Sequence, residues 1–159
     1  MSPLVFAPRR GSAVMPGIHR SLAIDPGKCT GWSLFSTSGT LLACGVGEPP
    51  VDDIDRVAVE IPQFYPKKPV PVSDLIQLAY RAGIIIGSLR AREILAFFPH
   101  EWKGTLPKDV CESRIRRKLN PDERLVVEEE CERYVPRSLM NNVWDAIGIG
   151  LYAWRGGIS

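Results

Sequence analysis

The sequence has no long apolar stretch. Nowhere along its 159 residues does a hydrophobic segment approach the roughly 18 residues that a membrane-spanning helix needs. The first segment, MSPLVFAPRRGSAVMPG, also lacks the continuous apolar core of a signal peptide, and its arginines stand in its middle. We therefore expect no membrane association and a cytoplasmic location.

Cysteine and histidine are scarce, with four and two residues respectively. The cysteines include no Cys-x-x-Cys pair, because they stand singly at Cys29, Cys44, Cys111 and Cys131. This spacing argues against a structural zinc site and against a disulfide framework. We expect four reduced, partly buried thiols.

The chain also lacks a strong excess of either charge, because 20 basic residues face 18 acidic ones. The distribution is more informative than the total: residues 102–118 are mainly basic, and residues 119–133 are mainly acidic. An apolar content of 45% is ordinary for a globular protein. With no internal repeat, we expect a flexible basic arm over residues 1–18 and one domain over residues 19–159.

Short apolar runs bounded by turn residues predict five strands. They are Ser21–Ile24, Thr30–Ser36, Thr40–Val46, Arg56–Ile61 and Ile94–Phe98. Four longer segments are typical of helices. They are residues 73–90 after the N-cap Ser73, a basic helix from Pro107 to about Leu119, an acidic helix from about Asp122 to Arg133, and Leu139–Trp154.

Three carboxylates stand in apolar settings. Asp25 directly follows an apolar strand, Glu60 lies near the end of RVAVEI, and Asp145 lies inside the apolar helix VWDAIGIGLYAW. Asn142 comes three residues before Asp145 and shares its helix face. If the two strands are neighbours and the helix packs across their ends, the acids converge. Hard divalent cations with oxygen ligands relieve the repulsion of such a cluster.

Each acid also has an ordinary structural interpretation. Asp25 before Pro-Gly is a common turn arrangement, and Glu60 before Ile-Pro suits a solvated strand end. Asp145 is harder to explain in this way, because so apolar a helix offers a lone carboxylate little water.

The segment IDPGKCTGW closely resembles the first-strand signature of RuvC-type Holliday-junction resolvases, a branch of the ribonuclease H-like nucleases. The resemblance extends to VAVE, to the Asn-x-x-Asp pair of the last helix, and to Pro99-x-x-x-Lys103 followed by Lys108. It covers about residues 20 to 155, with the order and spacing intact. It implies an α/β ribonuclease H-like fold, with a mixed five-stranded sheet flanked by helices.

The resemblance further implies that Asp25, Glu60 and Asp145 are catalytic acids that bind two Mg²⁺ ions, for which Mn²⁺ substitutes, with Asp25 bridging both. The family commonly has Asp or His as a fourth ligand three residues before the last acid. Here that position is Asn142, which offers a neutral carbonyl oxygen and less charge. The spacing from Lys103 to Lys108 is shorter than in the bacterial enzymes, which indicates a compact phage-type relative.

Basic and aromatic residues near these acids are candidate DNA contacts. An aromatic at this position in relatives stacks on an unpaired base, and the loop QFYPKKP offers Phe64, Tyr65, Lys67 and Lys68. Core packing is the alternative for the aromatics. Phosphate contacts are expected from the basic segment, namely Lys103, Lys108 and Arg114.

The resemblance therefore predicts a structure-selective endonuclease that resolves four-way DNA junctions by paired phosphodiester cleavage, with four-way or branched DNA as its partner. Two alternatives stay open: a related nuclease that processes structured RNA, and a protein that binds junctions without cutting them. Paired cuts need two sites related by a two-fold axis, so we expect a homodimer through the broad apolar face of helix 73–90. Burial of that face under the C-terminal helix is the alternative.

Overall fold

The chain is built on one mixed β-sheet with helices on both faces. The structure, a computed structural model, describes residues 4–6, 19–49, 54–66 and 70–158. The strands are β1 (Leu4–Phe6), β2 (Arg20–Asp25), β3 (Gly31–Ser36), β4 (Leu41–Val46), β5 (Ile54–Glu60) and β6 (Glu93–Phe97). The helices are α1 (Val72–Ser88), α2 (Pro99–Trp102), α3 (Lys108–Lys118), α4 (Pro121–Val127) and α5 (Met140–Arg155).

The sheet has the strand order β1-β6-β5-β2-β3-β4. Strands β2, β3 and β4 form an antiparallel meander, whose second turn contains Gly39 at a positive φ of 84°. Strand β5 pairs parallel to β2, and β6 pairs parallel to β5 after the α1 crossover. The carboxyl ends of β2, β5 and β6 therefore lie together at one edge of the sheet.

The two faces of the sheet are covered by different helices. The buried helix α5, together with α3 and α4, forms the larger core on one face, around Phe35, Ile115 and Ile147. Helix α1 covers the other face through Ala82 and contributes to a smaller core around Leu22 and Val57. Because α1 buries only this one residue fully, most of its surface faces outward.

Helix α5 lies almost directly on the sheet backbone. A Cβ atom added to Gly31 would collide with the backbone carbonyl of Asn142, and one added to Gly150 would collide with the ring of Phe35. The hydroxyl of Ser33 donates a hydrogen bond of 2.8 Å to the carbonyl of Ala146, which fixes the helix along its axis. The absence of a side chain at Gly31 thus brings the start of α5 to the end of β2.

The fully buried Glu123 ties α4 to the edge of the sheet. Its carboxylate accepts hydrogen bonds from the backbone N–H of Leu41 at 2.8 Å and from that of Asn120 at 2.9 Å. The same carboxylate pairs with the guanidinium of Arg155 at 2.8 Å. A buried carboxylate with three donors is satisfied, so this charge serves the fold.

The predicted fold class is confirmed, and each of the five predicted strands is present within two residues of its predicted ends. The sheet has a sixth strand, because β1 pairs antiparallel with β6 at its edge. Residues 4–6 of the predicted arm over 1–18 form this strand. The rest of that arm, residues 1–3 and 7–18, lies outside the described residues.

The helices differ from prediction in three places. Helix α1 ends at Ser88, because Leu89 adopts an extended backbone. The acidic segment divides into α4 and a π-helical turn over Glu128–Glu132. The short helix α2 and a 3-10 turn over Arg137–Leu139 were not predicted, since neither is long enough to have a periodic pattern.

The four cysteines are free, as expected. The buried thiols of Cys44 and Cys131 lie 3.1 Å apart and join β4 to the π-helical turn. Among the described residues, no helix has the length and apolar character required to cross a membrane.

Candidate active site

The two strand-end acids are neighbours because their strands pair in parallel. Ile24 of β2 is in register with Val59 of β5, so the next residues along each strand, Asp25 and Glu60, end adjacent strands. The residues directly before these positions are buried in both strands, because each strand passes through the middle of the sheet. A buried apolar strand that ends in an acid thus delivers each carboxylate to the same edge.

Helix α5 brings the third acid to the same place. Asp145 lies one turn beyond Asn142, whose backbone rests against Gly31. The side-chain oxygen Oδ1 of Asn142 reaches to 3.5 Å from where a Cβ of Gly27 would stand, so the amide lies over the turn that follows β2. The structure therefore brings all four predicted acidic and amide residues to the carboxyl ends of β2 and β5.

Lys103, predicted as a DNA contact, lies inside this acidic cluster. Its Nζ atom is 3.2 Å from Oδ2 of Asp145 and 3.4 Å from Oε2 of Glu60. The lysine follows α2 directly, so the short helix aims it at the site. The structure thus places a positive charge between two carboxylates that come from different elements.

Burial and mutual repulsion govern the protonation of the cluster. Burial, and then the charges of Glu60 and Asp145, raise the pKa of Asp25 to about 8, against the opposing charges of Lys103 and Lys108. Burial also raises the pKa of Glu60, partly offset by Lys103. Burial would lower the pKa of Lys103, but the two nearby carboxylates outweigh it and raise that pKa. Perturbed pKa values of this kind are common at functional sites.

The cluster has the donor chemistry that a hard divalent cation takes. Three carboxylates and one amide oxygen are the oxygen ligands of Mg²⁺ sites, and a cation would lower the raised pKa of Asp25. Within the described part of the chain, no group of three or more acidic, His or Cys side chains stands arranged to hold a metal ion. The residues therefore have the oxygen ligands that a divalent cation needs. In this structure Lys103 supplies the positive charge beside Glu60 and Asp145.

The remaining predicted residues differ in how exposed they are. Phe64 and Tyr65 are 55% and 39% exposed, so neither side chain belongs to the core. Lys108 is exposed at the start of α3, and Arg114 is half-buried on the same helix. Lys67 and Lys68 lie outside the described residues.

Sequence reasoning missed Trp102. Its indole Nε1–H donates a hydrogen bond of 2.7 Å to Oε2 of Glu60, across 42 positions of the chain. The neighbouring loop is also fixed, because Nδ1 of His100 lies 2.7 Å from Oε1 of Gln63. The one signal in the sequence was that Trp102 directly precedes the predicted Lys103.

The fold and the site define an α/β protein with an acidic cluster at the carboxyl ends of neighbouring parallel strands. Two solved structures of RuvC from Thermus thermophilus are similar to it. One, in complex with a Holliday junction substrate, is 16% identical with a TM-score of 0.46, covering 87% of this chain and 94% of that one. The other is 19% identical with a TM-score of 0.40, covering 86% and 96%.

No protein-family model and no curated protein matches the chain. The matched structures are of the family that the sequence motifs resemble. The phage-type relationship stays a prediction.

The raised pKa of Asp25 predicts how the metal-free protein responds to pH. Between pH 4 and pH 8 the unfolded chain releases the Asp25 proton while the folded protein keeps it, so stability falls as pH rises. Asp25→Asn removes this loss. In EDTA, we expect the variant to be more stable than the wild type at pH 8, by on the order of a few kcal/mol.

Urea unfolding at several pH values measures this difference. The gap between variant and wild type should shrink towards pH 4 and level off above pH 8. Asp74→Asn, at an exposed aspartate of α1, is the control. Because it keeps Asp25, its stability should change with pH as that of the wild type does. A difference in stability between Asp25→Asn and the wild type that stays constant from pH 4 to pH 8 would contradict a raised pKa at Asp25.

Proposed function

We propose that the chain is a divalent-metal-dependent, structure-selective endonuclease that resolves four-way DNA junctions by paired phosphodiester cleavage. The observation that carries this proposal is the convergence of Asp25, Glu60 and Asp145, from three separate elements, on one partly buried edge of the sheet. Carboxylates held this close together are unfavourable for folding. They are typical of a site that binds divalent metal ions and, through them, a phosphodiester substrate.

Asp25, Glu60, Asp145 and Asn142 are the residues that would hold the cations. Bound Mg²⁺ or Mn²⁺, two ions per site, would supply the Lewis acidity that activates a water and stabilises the leaving 3′ oxygen. Lys103, already beside the acids, is suited to hold a backbone phosphate next to them. Lys108 and Arg114 would extend this positive surface along α3.

The loop after Glu60 supplies the proposed recognition of the branch point. Phe64 is more than half exposed and lies four residues beyond Glu60. An exposed aromatic face so close to the acids is suited to stack on a base unpaired at the junction. Tyr65, and the predicted contacts Lys67 and Lys68, would act on the same strand.

A homodimer through α1 would supply the second cut. Val72, Ile76, Tyr80 and Ile84 recur every four residues on α1 and are 54–70% exposed. Gly83 and Gly87 have open space around them, which lets a second helix approach closely. The guanidinium of Arg81 donates a hydrogen bond of 2.9 Å to the carbonyl of Lys28, just beyond Asp25, so this helix is joined to the site.

We also propose that the protein is a compact phage-type resolvase that acts in the cytoplasm of a bacterium or a phage-infected host. The short spacing between Lys103 and Lys108 supports the first part of this statement. The partner is branched DNA, and a membrane has no role in the reaction.

Cleavage of a labelled four-way junction in the presence of Mg²⁺ tests the proposal. The wild-type protein should cut opposed strands in pairs, and Asp25→Asn should reduce cutting to background while junction binding in a gel-shift assay is retained. The exposed-site variant Asp74→Asn should cut normally. Near-normal cleavage by Asp25→Asn would exclude the assigned acid.

The same assay separates the two alternatives. Preferential cleavage of a structured RNA, with the DNA junction left intact, would identify an RNA-processing nuclease of similar chemistry. Tight junction binding without cleavage at any Mg²⁺ or Mn²⁺ concentration would identify a non-cleaving binding protein, in which Asn142 marks loss of a ligand.

Phe64→Ala should slow junction cleavage while leaving the protein folded. Stacking of one base on an aromatic side chain is worth roughly 1–3 kcal/mol, which is about a five- to a hundred-fold change in rate or affinity. Single-turnover cleavage rates measure the change. Tyr134→Ala, at an aromatic that is 78% exposed on another segment, is the matched control. Equal rates for Phe64→Ala and the wild type would remove Phe64 from the recognition surface.

Tyr80→Glu should convert a dimer into a monomer, because it places a charge in the centre of the exposed apolar stripe of α1. Light scattering coupled to size-exclusion chromatography measures the mass. Leu125→Glu, at an exposed apolar residue of α4, should leave the dimer intact. Tyr80→Glu should also nick junctions singly instead of cutting them in pairs. A wild-type protein that is monomeric at all concentrations would contradict this interface.

A further inference from the structure

Oxygen Oε2 of Glu60 is engaged by two consecutive residues. The indole N–H of Trp102 donates to it at 2.7 Å, and Nζ of Lys103 lies 3.4 Å from it. The lysine contact is shared with Asp145, whereas the indole has one hydrogen and directs it to Glu60. The two donors therefore differ. The flexible lysine can move to another anion, whereas the indole loses its hydrogen bond to Glu60 only if the whole ring leaves the core.

Packing prevents the indole from leaving. Trp102 is 4% exposed, and a Cβ atom on Gly148 of α5 would collide with its ring and with Ile115. The four-residue helix α2 is itself held, because the carboxylate of Glu101 accepts a hydrogen bond from the backbone N–H of Phe98 at 2.6 Å. The donor is thus fixed against the same helix that carries Asp145.

We propose that Trp102 is a positioning residue that fixes the carboxylate of Glu60 through Oε2 and leaves Oε1 as the oxygen offered to a divalent cation. The proposal rests on the function proposed above, since it takes Glu60 as a ligand. An indole suits this role because it stays a neutral donor at every working pH and does not compete as a cation. Outer partners of metal ligands commonly orient them in this way.

A purely structural role is the competing explanation, because Trp102 is also a large core side chain. Trp102→Phe separates the two, since it keeps an aromatic ring in the core and removes the N–H. Trp154→Phe is the matched control, because the buried Nε1 of Trp154 has no hydrogen-bond partner among the described residues. Both variants lose similar volume, and only one loses a bond to an acid.

Two measurements test the proposal on the whole chain. In ¹H–¹⁵N spectra of the four indole groups, assigned with the Trp→Phe variants, the Trp102 N–H resonance should lie downfield of those of Trp32 and Trp154. It should move upfield in Glu60→Ala. In calorimetric titrations with Mg²⁺ alone, Trp102→Phe should weaken binding about tenfold or more, and Trp154→Phe should leave it unchanged.

The outcomes distinguish this proposal from the one on which it rests. Wild-type Mg²⁺ affinity in Trp102→Phe, or a Trp102 resonance unmoved by Glu60→Ala, would overturn the positioning role while leaving the nuclease proposal intact. Equal weakening in both Trp variants would assign the effect to packing and overturn it as well. A wild-type protein that neither binds Mg²⁺ nor cuts junctions would refute the proposed function and this inference together.

Discussion

Like charges held close together at the edge of one sheet are the constraint on which the rest of the structure depends. Burial, and then repulsion from Glu60 and Asp145, raise the pKa of Asp25 to about 8, so the three acids resist being charged at the same time. The cluster does not hold itself together. Two apolar cores, one on each face of the sheet, supply the stabilisation that keeps the three elements adjacent.

The positive charges near the site are also explained by this constraint. Lys103 lies between two of the acids, and Lys108 acts on Asp25 from the start of α3. A lysine is a mobile point charge, so it neutralises the acids without fixing their geometry. The fixed geometry comes instead from the strand ends, the close seat of α5 and the indole of Trp102.

Much of the fold and the acidic cluster was predictable because the relevant signals are local or repetitive. An apolar run that ends in Asp25 or Glu60 marks the end of a buried strand, and the carboxyl ends of adjacent parallel strands meet. An acid in a helix as apolar as α5 needs a cation or a partner, which pointed to Asp145. Periodicity and the cost of burying charge made these acids candidates, and the resemblance of the segment IDPGKCTGW to a known family selected them.

The features that were missed depend on contacts between distant residues. The bond from Trp102 to Glu60 spans 42 positions and starts in a four-residue helix that has no pattern to detect. The position of Lys103 in the cluster follows from the same helix. Strand β1 lies in a segment rich in Pro, Gly and Ser, where its three residues give too short a signal.

The contact between Gly31 and α5 has a consequence for comparing sequences of this kind. Because the backbone of Asn142 occupies the space of a side chain at position 31, any larger residue there would displace α5 and carry Asp145 away from Asp25. A related chain that keeps all three acids but replaces this glycine should therefore have a dispersed site. Glycine at position 31 is therefore needed, beside the acids, to indicate an assembled cluster.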